Sequence, residues 1–166
     1  SLAAEYIALK YKTNIPNCRG VLDLNEEPSP EELEDSFLKY VGSAKSSRKE
    51  TNAYRLKGRR ESDGFLNLTC GILDTDEILA EAKRRNVSLT VLLTAVMIEA
   101  IEEIQSEAQP ERKKQKPVKV LIPVNLRNFF ESSTLRNFAQ YITPGIDPRL
   151  GEFTFDDIIK SVHHQM

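Results

Sequence analysis

Arg127 stands at the end of the apolar run Val120-Leu-Ile-Pro-Val-Asn-Leu and shortly before Arg136-Asn137, which makes this stretch the richest in chemistry-bearing residues. A guanidinium is permanently charged and presents five donors in a fixed fork, so if buried it must meet a carboxylate, a phosphate or backbone carbonyls. Two roles follow for Arg127: an ion pair that locks the turn, or direct contact with a substrate. Asn125, Arg136 and Asn137 are read as side chains that fix the turn and the strand register, in support of a site rather than as reacting groups. The only histidines are the adjacent His163 and His164, placed where a helix end would favour imidazolium through the macrodipole. Cys70 falls on an apolar strand face and reads as a small core residue, while Cys18 has Arg19 beside it but no base, so neither is set up as a nucleophile. The sequence contains no zinc-ligand spacing, phosphate-cradling glycine loop or dinucleotide fingerprint, and no catalytic or metal-binding residue is assigned.

Pro123-Val-Asn-Leu-Arg127, then Phe129-Phe130, then Thr134-Leu-Arg-Asn-Phe138 resemble the alcohol acetyltransferase-like branch of the acyltransferases that share the chloramphenicol acetyltransferase and condensation-domain fold. The resemblance is specific over Ile122–Phe138 and again over Phe155–Met166, and loose before Thr51. It implies a two-lobed α/β fold with a substrate channel between lobes, and acyl transfer from a coenzyme A or carrier-protein thioester to an alcohol or amine. The His-His-x-x-x-Asp-Gly motif on which that chemistry rests is not in the chain; His163-His164 are followed only by Gln165 and Met166. The resemblance would place the motif shortly before Ser1, so the chain is read as an internal segment, inactive by itself. Residues 1–50 would be the helical end of the first lobe with a connecting segment, and residues 51–166 part of the second lobe. Arg127 would pair with the motif's aspartate, and Lys113, Lys114 and Lys116 at a channel mouth would meet coenzyme A phosphates. Without a channel the same basic loop is a solvated one. Acyl-CoA would be a co-substrate, with no covalently bound cofactor; the partners would be the rest of the parent acyltransferase and an acyl carrier protein. The alternative from another class is a non-catalytic interaction domain of the same fold that docks a carrier protein or a second subunit, with exposed apolar surface driving a homodimer.

The elements that must position these residues are read from periodicity and punctuation. A helix is expected over Leu2–Lys12 with Leu2, Tyr6, Ile7 and Leu9 as its apolar face, then a connection over Asn14–Ser29 packed through Val21 and Leu22. Ser29 as N-cap, Pro30 and Glu32 predict a helix start by capping box, burying Leu33, Phe37 and Val41 or Tyr40. Gly42–Glu50 reads as a linker, and Ala53–Lys57 and Phe65–Leu73 as strands around the turn Arg59–Gly64, with Leu66, Leu68, Cys70 and Ile72 on one face. Asp74 and Ser88 cap two further helices, the second over Leu89–Ala108 as the central buried helix through Val91, Leu92, Ala95, Val96, Ile98, Ala100, Ile101 and Ile104. A buried strand over Val118–Leu126, a second over Phe138–Thr143 ended by Pro144-Gly145, and a last helix capped by Thr154 with Asp157 complete a mixed sheet with helices on one face.

A length of 166 residues and a hydrophobic share of 40% suit one globular unit. A net charge of −2 gives no electrostatic footprint for nucleic acid, and no window approaches the ~18 apolar residues of a membrane span. Two distant cysteines fit reduced thiols in a cytoplasmic protein.

Overall fold

A computed structural model describes residues 2–13, 27–41, 51–58 and 61–166 of the chain. In chain order its helices are α1 (Leu2–Tyr11), α2 (Pro30–Leu33), α3 (Ser36–Tyr40), α4 (Thr75–Arg84), α5 (Leu89–Ala108) and α6 (Phe155–Gln165). The strands are β1 (Val118–Lys119), β2 (Ile122–Asn125), β3 (Ala139–Ile142) and β4 (Gly145–Ile146), giving a mixed helix and antiparallel-strand architecture. The chain divides into two compact units, residues 1–42 with 127–138, and residues 43–126 with 139–166.

In the larger unit the helix starts follow from their caps. The Asp74 carboxylate accepts from the Asp76 and Glu77 amides at 2.9 and 3.0 Å, and Ser88 Oγ accepts from the Val91 amide at 3.2 Å, which satisfies donors that a helix start otherwise leaves open. Asn86, at φ 55°, turns the chain between α4 and α5. Thr154 and Asp157 close a reciprocal capping box on α6. Val91, Leu92, Ala95 and Ile98 of α5 meet Ala82 of α4, Ile158, Ile159 and Val162 of α6, and Val118 and Ile146 of β1 and β4 in one buried cluster. Burial of that aliphatic set is the main stabilising term of the unit, at about 25 cal/mol per Å² of apolar surface.

The expected single strand over Val118–Leu126 is interrupted. β1 pairs antiparallel with β4, Val118 opposite Ile146 and Lys119 opposite Gly145; β2 pairs with β3 from Ile122 opposite Ile142 to Asn125 opposite Ala139. One register runs through both ladders, and it places Val120 opposite Pro144. The Val120 amide donates to the Pro144 carbonyl at 3.0 Å, but proline has no N–H to return the bond. The ladder breaks there for that reason. Instead of a mixed sheet with a helical face, the described residues form these two-stranded antiparallel ladders, and β2 is only half-buried on alternate residues.

The expected strands over Ala53–Lys57 and Phe65–Leu73 form no ladder among the described residues. The Tyr54 amide donates to the Pro117 carbonyl at 2.8 Å, which holds the first beside β1. The second is extended but open to solvent: Leu66, Leu68 and Ile72 are 80%, 75% and 99% exposed, and Cys70 is exposed rather than a core residue. Period-two alternation specifies a face, but a strand also needs an edge to pair with. The intervening turn is a short 3-10 turn at Ser62–Gly64, while Arg59 lies outside the described residues. On α5, Val96, Ala100 and Ile104 are exposed, so the helix buries a narrower stripe than its composition suggests.

In the smaller unit the Ser29 capping box forms as expected, with Ser29 Oγ accepting from the Glu32 amide and Glu32 Oε2 from the Ser29 amide. The single helix expected there is two. Glu34 leaves helical backbone, and Asp35 caps α3 by accepting from the Phe37 amide at 3.0 Å. Leu33 and Val41 are therefore exposed, while Phe37 and Tyr40 are half-buried against Phe138, and Tyr40 also against Phe130. α1 spans Leu2–Tyr11, but Tyr6, Ile7 and Leu9 are exposed rather than covered. Cys18, Val21 and Leu22 of the expected connection, and the linker of residues 42–50, lie outside the described residues.

Candidate functional site

The turn between β2 and β3 is where the chemistry-bearing residues gather. Arg127 Nε and Nη2 donate to the Thr134 carbonyl at 3.1 and 2.6 Å, and Nη2 also donates to the Arg136 carbonyl at 2.6 Å. One side chain thus spans the turn and fastens its far side. Thr134 is 2% exposed; its hydroxyl donates to the Glu34 carbonyl at 2.6 Å and accepts from the Arg136 amide at 3.2 Å. The Leu135 amide donates to the Glu32 carbonyl at 2.8 Å, and the Ser36 and Ser132 hydroxyls share a bond of 2.6 Å. Tyr40 donates to the Glu131 carbonyl, and its ring lies 4.9 Å from Phe130. Aromatic packing and backbone-directed hydrogen bonds therefore hold α2 and α3 against residues 130–138.

Of the other residues expected here, Asn125 ends β2 opposite Ala139, and Arg136 enters through its main chain. Asn137 is exposed. Beside the turn, a cleft of about 300 Å³ is lined by Glu31, Glu34, Ser36, Lys39, Glu131 and Ser132. Three carboxylates against one lysine make it unsuited to a phosphate, because like charges so close repel.

The basic loop is built differently. Arg112–Lys114 forms a 3-10 turn; Lys114 pairs with Glu111 at 2.6 Å and Arg112 with Glu152 at 2.9 Å, while Lys113 and Lys116 are exposed. Gln105, 2% exposed, holds the loop's end: its Nε2 donates to the Lys116 carbonyl at 2.9 Å, and the Lys116 amide donates to its Oε1 at 2.8 Å. The sequence reading gives no role to Gln105 and names Thr134 only as part of the resembling stretch and its turn. Gln105 lies at helical spacing from Ile98 and Ile101 on the buried stripe of α5, which is the signal that would have found it.

Strong electrostatic perturbation lies elsewhere. Hydrogen bonds from Arg84 and then Arg85 lower the Glu81 carboxyl to about 2, and Arg85 also bonds Asp156, tying α4 to α6. Arg149 lowers Asp147, with bonds of 2.6 and 2.8 Å, and the Thr154 hydroxyl lowers Asp157. These groups serve ion pairs and a helix cap. His163 and His164 are exposed in the last turn of α6. Among the described residues no three His, Cys, Asp or Glu side chains are grouped to hold a metal ion, and no helix is long and apolar enough to cross a membrane.

Comparison with known proteins finds no matching family model, curated protein or solved structure.

Proposed function

We propose that these residues are a segment of an acyltransferase similar to the alcohol acetyltransferases, which moves an acyl group from a coenzyme A or carrier-protein thioester to a hydroxyl or amine. The observation that supports this reading is the Arg127 fork. The two stretches that carry the resemblance, Pro123–Arg127 and Thr134–Phe138, are the two sides of one fastened turn, with Arg127 bonded to the carbonyls of Thr134 and Arg136. In such a reaction a histidine takes the acceptor's proton, the acceptor oxygen or nitrogen attacks the thioester carbonyl, and the resulting oxyanion collapses to release the thiol. The segment would supply a rigid turn and channel wall; the base would come from residues outside it.

A reading as an interaction domain of the same fold rests on a different observation. The run Phe65–Leu73 exposes the large apolar side chains Leu66, Leu68 and Ile72, which an interaction surface would cover.

Thiol release from acetyl-CoA and longer acyl-CoAs, with a panel of alcohols and amines, separates the two. Acceptor-dependent release by the product of the complete reading frame, and none by this chain at equal concentration, is the expected result. Release by neither refutes acyl transfer from coenzyme A and favours the interaction reading or a carrier-bound donor; release by this chain alone refutes a base outside it.

A further inference from the structure

The run Phe65–Leu73 of the larger unit contains no charged residue and has the period-two alternation of a strand. It holds neither helix nor turn, and each of its residues is exposed. From Leu66 to Leu73 no main-chain N–H or C=O has a hydrogen-bond partner among the described residues. Nothing lies within 4 Å of where a Cβ on Gly71 would stand. A row of open donors and acceptors flanked by uncovered leucines is the edge to which another strand adds.

The run is complementary to itself. Paired antiparallel with a second copy about Thr69, it sets Leu66 against Ile72 and Leu68 against Cys70, an apolar face. On the other face Phe65 meets Leu73 and Thr69 meets Thr69. Aromatic–aliphatic and threonine–threonine neighbours across a ladder favour pairing. The flanking carboxylates, Asp63 and Asp74, select direction and register. An in-register parallel pair would set each against its own copy, like charge directly opposite like. Slipping the antiparallel pair by two residues would bring Asp74 against Leu66 or Asp63 against Leu73, and slipping it by one would mix the two faces. The register centred on Thr69 brings Asp74 against Gly64 and Asp63 against Thr75, clear of both faults.

We infer that the partner of this run is a second copy of the chain, joined as a two-fold dimer by an antiparallel ribbon over Phe65–Leu73. The same patch on both copies makes the contact, so association closes at two. Two strands alone make a marginal ribbon, and the dimer is therefore a reversible one that dilution separates. The inference rests on the interaction reading of this run, for which it names the partner, and does not depend on acyl transfer.

Sedimentation of the chain over a dilution series is the test, and a reversible monomer–dimer equilibrium is the expected result. Leu68→Pro with Thr69→Pro removes an inward N–H whichever edge pairs, and should weaken dimerisation by roughly tenfold or more. Leu150→Lys should leave it unchanged, although Leu150 is 81% exposed against 75% for Leu68. Unchanged circular dichroism melts verify the fold of each variant. Disulfides read the register, in a chain carrying Cys18→Ser and Cys70→Ser. With glutathione disulfide as oxidant, Thr69→Cys should cross-link to its own copy, because opposite Cβ atoms lie about 4.5–5.5 Å apart. Phe65→Cys, about 26 Å from its copy, should cross-link to Leu73→Cys and not to itself. A chain that stays monomeric, assemblies that keep growing with concentration, a dimer indifferent to the proline pair, no disulfide at Thr69→Cys, or Phe65→Cys joined to itself overturns the inference. Thiol release decides acyl transfer separately, so its absence and a failure to dimerise are distinct results.

Discussion

Thr134 shows how one buried hydroxyl can order a turn. It donates to the Glu34 carbonyl and accepts from the Arg136 amide, and Arg127 bonds its carbonyl, so three chain segments meet at one residue. Thr134→Val keeps the shape and deletes the hydroxyl, leaving a carbonyl and an amide short of partners in a buried place. The expected cost is about 1–3 kcal/mol, read as a lower urea midpoint at unchanged slope. A loss below about 0.5 kcal/mol would mean that water replaces the hydroxyl there. Arg127 invites attention in the sequence because its fork demands acceptors. That the acceptors are main-chain carbonyls has no letter in the sequence, since every residue carries the same carbonyl.

At the scale of elements, the β1–β4 ladder depends on the missing side chain of Gly145. A Cβ there would lie 2.1 Å from the Val118 carbonyl oxygen and 2.9 Å from Lys119 Cα, both backbone atoms that cannot swing aside. Gly145→Ala is expected to separate the strands and destabilise the chain by about 2–4 kcal/mol, whereas Gly71→Ala, with open space around it, should leave the melting temperature unchanged. Equal melting temperatures for the two variants would refute the close approach. Helix starts were legible because a cap is local: Ser29, Asp74, Ser88 and Thr154 each bond an amide two or three residues ahead. Strand pairing was less so. Pro144 reads as the end of its own strand, yet its missing N–H also interrupts the strand opposite, at Val120, through a register no single segment reveals. For the same reason Phe65–Leu73 has the alternation of a strand without a partner among the described residues. The 3.6-residue period of α5 found its buried face but overestimated the width, because neighbours on one side only cover Val91, Leu92, Ala95 and Ile98.

Over the whole molecule, 25 acidic and 23 basic residues nearly balance, so acid stability turns on which carboxylates are held rather than on net charge. Glu81 sits at about 2 in the folded chain against an ordinary 4.5, and Asp147 and Asp157 are lowered as well. A carboxyl depressed by folding binds fewer protons folded than unfolded, so its stabilisation is complete above the ordinary value and lost as pH falls through the folded one. The melting temperature should therefore be level from pH 7 to 5 in respect of these groups and fall between about pH 4.5 and 2, the window set by Glu81. Glu81→Gln should flatten part of that fall, and added salt should reduce it because these pairs are exposed. An identical acid profile for Glu81→Gln would refute the assignment. The Gln105 clamp bears on something else, the tolerance of the chain to insertion. Its amide copies the donor and acceptor of a peptide unit, so Lys116 is pinned to α5 as though to a neighbouring strand, whatever path residues 110–114 take between. Lengthening a closed loop costs only about 0.6 kcal/mol per doubling, and the point where β1 begins is already set. The basic loop is thereby decoupled from the sheet it precedes, a place where residues can be gained, lost or recoded while Val118 keeps its seat in the core.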